Sequence, residues 1–335
     1  MKRSWVIMSK LKMGALGASG HLLTRIMLPL SQSEEVELVA LASRNKEKAE
    51  KVALKWNIPK IYESYEALLE DSEIEAVYIP LPNHMHLEWM KKAIDAKKHV
   101  LCEKPFTLDA KETDELIAYA KDKGVKIMEA FMYRFHPKWK KVQELMKVSG
   151  IGEVQTIHTI FSYNNQDENN IRNIKEYGGG ALMDIGCYAI NSARYILGQD
   201  PVSVVSKLTY SDAFGTDILS SAILDFGKTR VLFTVGTAMY PMQEVKIYGS
   251  GGTIEVVIPF NDLDDIKGKI IVTTSLGQRV IEFEPTNQYG QMLDAFAKAV
   301  KDGIDVPLSL EDSRMNMHII DQLVKSGQTN QWESI

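Results

Sequence analysis

Lys104 follows the apolar run His99–Glu103 and precedes Pro105, which holds Glu103 and Lys104 in an extended approach. If that run is a strand of a parallel sheet, Lys104 lies at its carboxyl end, where such sheets bind ligands. A lysine at a strand end is ordinarily just solvated, so position alone does not make it functional. Asp184 and Tyr188 are spaced i, i+4 in a helical stretch, 181–197, and so share one helix face. Gly178, Gly179 and Gly180 precede them and let the chain enter a site closely. A third group is a glycine-rich turn, Gly14-Ala15-Leu16-Gly17-Ala18-Ser19-Gly20-His21-Leu22. Between a first strand and a helix, such a turn lets backbone N–H groups approach a pyrophosphate at the helix N-terminus. The match to G-x-G-x-x-G is imperfect, with Ser19 at the second glycine and Leu22 at the third, and a purely structural turn reads the same way.

The next strand ends Ala42-Ser43-Arg44-Asn45-Lys46. A site selective for NAD usually places an acid there for the ribose 2′-hydroxyl; an arginine suits a 2′-phosphate. Ser43 and Arg44 without an acid favour NADP over NAD, although a solvated helix start has the same composition.

These residues need a scaffold of two kinds. Apolar runs at 11–16, 36–42, 74–80, 99–103 and 125–130 alternate with helical patterns, which implies βαβ units and a parallel sheet. After about residue 150 the strands at 153–161, 202–210, 218–226, 229–238, 244–248 and 253–258 follow one another through tight turns, as in an antiparallel sheet. The expected division is 1–130, a dinucleotide-binding Rossmann domain, and 131–335, a substrate-binding and oligomerisation domain on a large, mostly antiparallel open sheet. Helices near 292–300 and 310–326 close the chain and can pack back on the first domain.

Composition sets limits. The 335 residues are 45% apolar and 25% charged, with net charge −5, ordinary for a soluble globular protein and unsuited to nucleic acid as main partner. Cys102 and Cys187 form neither a disulfide framework nor a zinc site, and Cys187 lacks a base at a nucleophile's spacing. The patch Trp5–Met8 is too short for a signal peptide, and no apolar run is long enough to span a membrane, so a cytoplasmic protein without membrane partners is expected.

The segments Leu81-Pro82-Asn83-His84-Met85-His86, Cys102-Glu103-Lys104-Pro105, Glu129-Ala130-Phe131-Met132-Tyr133-Arg134-Phe135-His136-Pro137 and Asp184-Ile185-Gly186-Cys187-Tyr188 occur in one order and spacing. In this the chain resembles the glucose–fructose oxidoreductase, inositol dehydrogenase and rhizopine-catabolism (Gfo/Idh/MocA) family over nearly its whole length. The branch it is most similar to holds glucose–fructose oxidoreductase, NADP-linked xylose dehydrogenase and dihydrodiol dehydrogenase.

The resemblance implies an NAD(P)-dependent oxidoreductase that moves a hydride between nicotinamide and a carbinol or carbonyl carbon of a sugar or cyclic polyol. A non-sugar dehydrogenase such as one for dihydrodiols, or a silent nucleotide-binding regulator, are the alternatives. It implies catalytic roles for Lys104, Asp184 and Tyr188, with Tyr188 as acid and base. At about 4 Å and an effective dielectric near 20, an ammonium favours phenolate by on the order of 4 kcal/mol before desolvation. Lys104 is therefore expected to lower the Tyr188 pKa and hydrogen-bond the reacting oxygen, with Asp184 holding Lys104 or a substrate hydroxyl. Gly17, Ala18, Ser19, Gly20, His21, Ser43, Arg44, Pro82, Asn83, His86, Glu103, Lys104 and Arg134 would contact the cofactor. Lys104, Tyr163, Arg172, Asp184 and Tyr188 would contact substrate. Tyr133 and Arg134 read equally as a domain-hinge pair. His84 and His86 lack a third metal ligand, so no metal is expected. A homodimer or homotetramer through the open sheet face completes the expectation.

Overall fold

The computed structural model describes residues 9–148, 150–262 and 265–335; the Trp5–Met8 patch lies outside them. The first half runs β1 (Leu11–Leu16), a π-helical turn (Leu22–Ile26) leading into α1 (Met27–Gln32), β2 (Val36–Ala42), α2 (Lys46–Trp56), β3 (Lys60–Tyr62), α3 (Tyr65–Glu70), β4 (Ala76–Ile79), α4 (His86–Asp95), β5 (His99–Cys102), α5 (Ala110–Ala120) and β6 (Ile127–Glu129). Its six strands are all parallel, in the order β3-β2-β1-β4-β5-β6. Successive side chains point to opposite faces. Along β4, Ala76 and Tyr78 join one hydrophobic cluster while Val77 and Ile79 join the other, so both faces are covered. The order reverses between β1 and β4, and the crevice beyond their carboxyl ends is where such sheets take nucleotides.

Helix α6 (Pro137–Lys147) leads to β7 (Val154–Asn164), and a π-helical turn (Leu182–Gly186) leads into α7 (Cys187–Leu197). Strands β8 (Ser203–Tyr210), β9 (Asp217–Asp225), β10 (Arg230–Gly236), β11 (Ala238–Gly249), β12 (Gly252–Val257), β13 (Gly268–Thr274) and β14 (Gly277–Phe283) follow. Helices α8 (Gln288–Lys301) and α9 (Leu310–Thr329) and the short β15 (Glu333–Ser334) end the chain. The nine-stranded sheet runs β14-β13-β12-β11-β7-β10-β9-β8-β15, antiparallel except for the central pair β7 and β10. Alternate residues of β9 are buried, so one sheet face packs on helices. On the other, His158, Ile160, Ser221, Ile223, Leu232 and Thr234 line a shallow depression of ≈ 530 Å³.

Helix α9 returns to the first half, where Asp321 accepts from the Ala110 amide at 2.9 Å and Arg314 pairs with Asp114. The strands at Lys60–Tyr62, Gly268–Thr274, Gly277–Phe283 and Glu333–Ser334 were not expected from sequence. β3, β14 and β15 are sheet edges, and edges carry no apolar alternation to read.

Candidate active site

At the nucleotide end Gly17 takes φ +106°, a conformation favouring glycine, and a Cβ there would meet Leu81 Cδ2 at 3.1 Å. The Ser19 hydroxyl accepts from the Leu22 amide at 3.1 Å and so ties down the helix start. Gly20 faces open space, with nothing within 4 Å of a Cβ position. From here a groove of ≈ 400 Å³ runs between Gly17, Ala18 and Ser19 on one side and Ser43, Arg44 and Lys48 on the other. Ser43 is buried and accepts from the Asn45 amide, which turns the exposed Arg44 outward along the groove. The residues lining this groove include two cations and no carboxylate. That charge fits a 2′-phosphorylated ribose better than a bare one.

The groove shares Ser19, Pro80, Leu81 and Pro82 with a cleft of ≈ 640 Å³ over the sheet ends. The cleft in turn shares His21, Arg25, Lys104, Arg172 and Asp184 with a pocket of ≈ 650 Å³. The three spaces form one continuous path across both halves. Over the cleft, Asn83 Nδ2 donates to the Gly178 carbonyl at 2.9 Å and His84 stacks on Tyr177 at 4.2 Å.

At the junction, Lys104 Nζ donates to the Asp184 carboxylate at 2.8 Å and to its backbone carbonyl at 2.7 Å. The other Asp184 oxygen accepts from the Tyr163 hydroxyl at 2.8 Å and from Arg172 Nε at 3.0 Å. Burial works against the charges on Asp184 and Lys104. The Arg172 and Lys104 cations nonetheless hold the Asp184 carboxyl well below the usual range, and Asp184 keeps the Lys104 ammonium raised. Asp184 is positioned by the helix start: Asp217 accepts from the Leu182 amide at 2.8 Å, and Gly180, at φ +120°, passes directly beneath Asp217.

Tyr188 lies 4 residues on, 5% exposed, packed edge-on against Phe131 and Phe161 and tilted on Phe260. Its hydroxyl contacts Met132 Sδ at 3.4 Å, and Lys104 Nζ sits 5.1 Å from its ring centre. Burial pushes the Tyr188 phenol well above its usual value. The expectation that Lys104 acidifies Tyr188 is therefore corrected, because desolvation dominates at the phenol; that Asp184 holds Lys104 is what the structure shows.

Glu103 accepts from the Tyr78 hydroxyl at 2.6 Å and lies 3.3 Å from His21 Nε2. Burial raises its carboxyl, but His21, Tyr78 and Lys104 together hold it down at about 2. The His21 ring meets Tyr289 edge-on at 5.6 Å, and both line the pocket.

Two expected cofactor contacts are elsewhere. His86 is fully buried, its ring nitrogens 3.0 and 2.9 Å from the carbonyls of Pro105 and Leu81, so it braces the Glu103–Pro105 turn instead of facing the groove. Arg134 bonds Asp312 at 2.6 Å and stacks over Tyr195, both in the second half of the chain and away from the groove. The remaining expected residues, Pro82, Asn83, Glu103, Tyr163 and Arg172 included, line the path. Arg25, Gln243, Ile258, Asn261 and Tyr289 line it as well, and sequence reasoning assigned them nothing.

Residues 11–131 match the model of the oxidoreductase family with an NAD-binding Rossmann fold, Gfo/Idh/MocA, and residues 139–255 match a C-terminal domain of the same family. A D-xylose 1-dehydrogenase (NADP(+)) of Haloferax volcanii is 37% identical, covering 94% of this chain and 97% of its own. An oxidoreductase of Rhizobium meliloti is 34% identical over 98% of this chain and all of its own. A 3-ketoreductase from Actinomadura kijaniata, solved with NADP and TDP-benzene, superposes with TM-score 0.90 at 28% identity, covering 95% of this chain and 98% of the other. Among the described residues no helix is long and apolar enough to cross a membrane. With its nucleotide groove joined through the cleft to a pocket at Lys104 and Asp184, this chain belongs to the Gfo/Idh/MocA family and is an NAD(P)-dependent oxidoreductase acting on a sugar- or polyol-like ligand.

Proposed function

We propose that the chain is an NADP-preferring sugar or polyol dehydrogenase in which Tyr188 gives or takes the hydroxyl proton. The observation that carries this is the placement of Tyr188, Lys104 and Asp184 in one pocket that opens onto the cleft leading to the Arg44 groove. A bound nicotinamide supplies or accepts the hydride. The chain's residues orient the carbinol and move its proton.

Lys104, with its charge held by Asp184, favours negative charge developing on the reacting oxygen. Tyr188, kept neutral by burial, then acts as the proton donor in reduction. In oxidation it recovers the proton from the carbinol. Tyr163, Arg172, Gln243 and Asn261 hold the remaining hydroxyls, while Phe161, Pro241, Met242 and Ile258 supply an apolar wall for the C–H face of a ring.

Arg44 favours NADP, in keeping with the NADP(+)-linked relative at 37% identity. The partly apolar depression on the open sheet face supports assembly of two or four copies through that sheet. The domain division 1–130 and 131–335 and a cytoplasmic setting complete the reading.

The test is titration of NADPH and NADH into wild type and Arg44→Ala, followed by turnover on aldoses, D-xylose first, and on cyclic polyols. NADPH binding that weakens selectively in Arg44→Ala, with turnover lost in Tyr188→Phe by about 10²–10⁴-fold, supports the reading. Binding of neither nucleotide refutes it. Nucleotide binding with turnover only on a dihydrodiol or a nucleotide-linked ketosugar moves the substrate away from free sugars.

A further inference from the structure

One wall of the pocket is the segment 257–262, which links β12 toward β13 and presents Ile258 and Asn261 to the cavity. Its backbone is held from behind by Lys138, Trp139 and Gln288, which do not line the pocket, and from the pocket side by Gln243. Lys138, on the first turn of α6, is fully buried, and an ammonium has three protons to place. They go to the Asp262 carboxylate, the Ile258 carbonyl and the Val257 carbonyl. The Trp139 indole N–H donates to the Pro259 carbonyl at 2.9 Å, and Gln288 Nε2 donates to the Phe260 carbonyl at 2.7 Å. Gln243 Oε1 accepts from the amides of Phe260 and Asn261 at 3.3 and 3.0 Å. Every carbonyl from Val257 to Phe260 thus has a side-chain donor.

The clamp holds a conformation that the segment would not choose. Ile258 takes φ +44°, and β-branched residues rarely enter the left-handed region. His136 caps α6 through the Lys138 amide, and its Nε2 lies 3.0 Å from Asp262. Gly268 leaves room for this: a Cβ there would fall 2.8 Å from the His136 ring. Phe260, fixed at both its amide and its carbonyl, is the ring against which Tyr188 leans at 5.2 Å.

We infer that Lys138 and Asp262 are positioning residues for substrate selection: their buried pair locks the segment 257–262, which sets the pocket wall at Ile258 and Asn261 and the backing of Tyr188. Neither side chain lines the pocket, so selectivity is set here from outside the substrate's contact shell. The inference rests on the reading of that pocket as the sugar site.

The variants are Lys138→Met, Lys138→Met with Asp262→Leu, and Trp139→Phe, which removes the bond to Pro259 together with part of the ring packed on Phe260. The double change removes both buried charges together, which restores stability that either single loss forfeits. In the double variant the melting temperature recovers toward wild type. The KM for the best sugar of the panel stays raised by about tenfold, the scale of one misplaced hydrogen bond. The NADPH Kd is unchanged, and preference between epimeric sugars narrows. Trp139→Phe moves KM in the same direction by less.

Hydrogen exchange at the Phe260 and Asn261 amides, read without substrate, accelerates in all three. A folded double variant with wild-type KM, epimer preference and exchange overturns the inference. If the double variant does not fold, wild-type KM and exchange in Trp139→Phe do the same. Should wild type turn over no sugar, the functional reading fails, while the exchange result still decides whether the clamp exists.

Discussion

Replacing Asp184 with asparagine keeps the shape of the side chain and removes its charge. In the wild type one oxygen takes Lys104 at 2.8 Å and the other takes Arg172 at 3.0 Å and Tyr163 at 2.8 Å. Only 11% of either the Asp184 or the Lys104 side chain is exposed, so the variant leaves a nearly buried ammonium without the carboxylate it is bonded to. Breaking a buried pair in this way costs about 3–5 kcal/mol. Arg172, 37% exposed, regains water and adds little. At ~2.1 cal/mol/K per residue, a cooperative unit of 335 residues melts about 4–7 °C lower.

Thermal scans of Asp184→Asn and of Asp184→Asn with Lys104→Met provide the assay, and the double variant recovers most of the loss. The pH dependence adds a second arm. Because the folded Asp184 pKa lies below its unfolded value, the carboxylate's contribution is complete above the unfolded pKa, about 3.9, and is lost as pH falls toward the folded one. The wild-type melting temperature therefore falls more steeply below about pH 4 than that of Asp184→Asn. A single variant within about 1 °C of wild type, or a double variant no better than the single, refutes the buried-pair argument.

Other outcomes follow from the same geometry. Glu129, buried at the end of β6, has its carboxyl pushed up to about 8 by burial, only partly offset by Ser313 and the Phe106 backbone. Since the folded state holds a proton that the unfolded state has released, stability falls by up to about 1.4 kcal/mol per pH unit between roughly pH 4.5 and 8. Glu129→Gln flattens that slope in melting-temperature scans, and parallel curves for variant and wild type contradict it. Gly180→Ala places a Cβ against Asp217 and strains a φ of +120°. It shifts the helix start that carries Asp184, so turnover falls while NADPH binding, measured by nicotinamide fluorescence, persists.

Much of the site could be read from sequence because its parts are local. The i, i+4 spacing of Asp184 and Tyr188 and the strand-end position of Lys104 each follow from one element. What could not be read is the surroundings of the phenol. The rings of Phe131, Phe161 and Phe260, drawn from other segments, bury the Tyr188 phenol and raise its pKa, where the lysine nearby had promised the opposite. His86 shows the same limit: its neighbours Pro82 and Asn83 line the cleft, but one helical turn swings its ring under the Lys104–Pro105 bend. Arg134 had two readings, and its partner, Asp312, is 178 residues away. Gln243 and Asn261 carry no motif at all; only the bulged β11 and the clamped segment bring them to the cavity.

The parallel pairing of β7 with β10 also governs the order in which the molecule can be assembled. β7 ends at Asn164, yet the strands flanking it, β10 and β11, begin only at Arg230 and Ala238. A chain emerging from the ribosome thus carries its central strand unpaired for more than sixty residues of synthesis. All six strands of the parallel sheet lie before residue 130 and can pair well before then. The half that forms the nucleotide groove can pair its strands early, while α8 and α9 cover one of its faces last. The contacts that fix Asp184 against it wait for strands with high contact order. Synthesis stopped between β7 and β10 therefore leaves the parallel strands without the contacts that place Asp184.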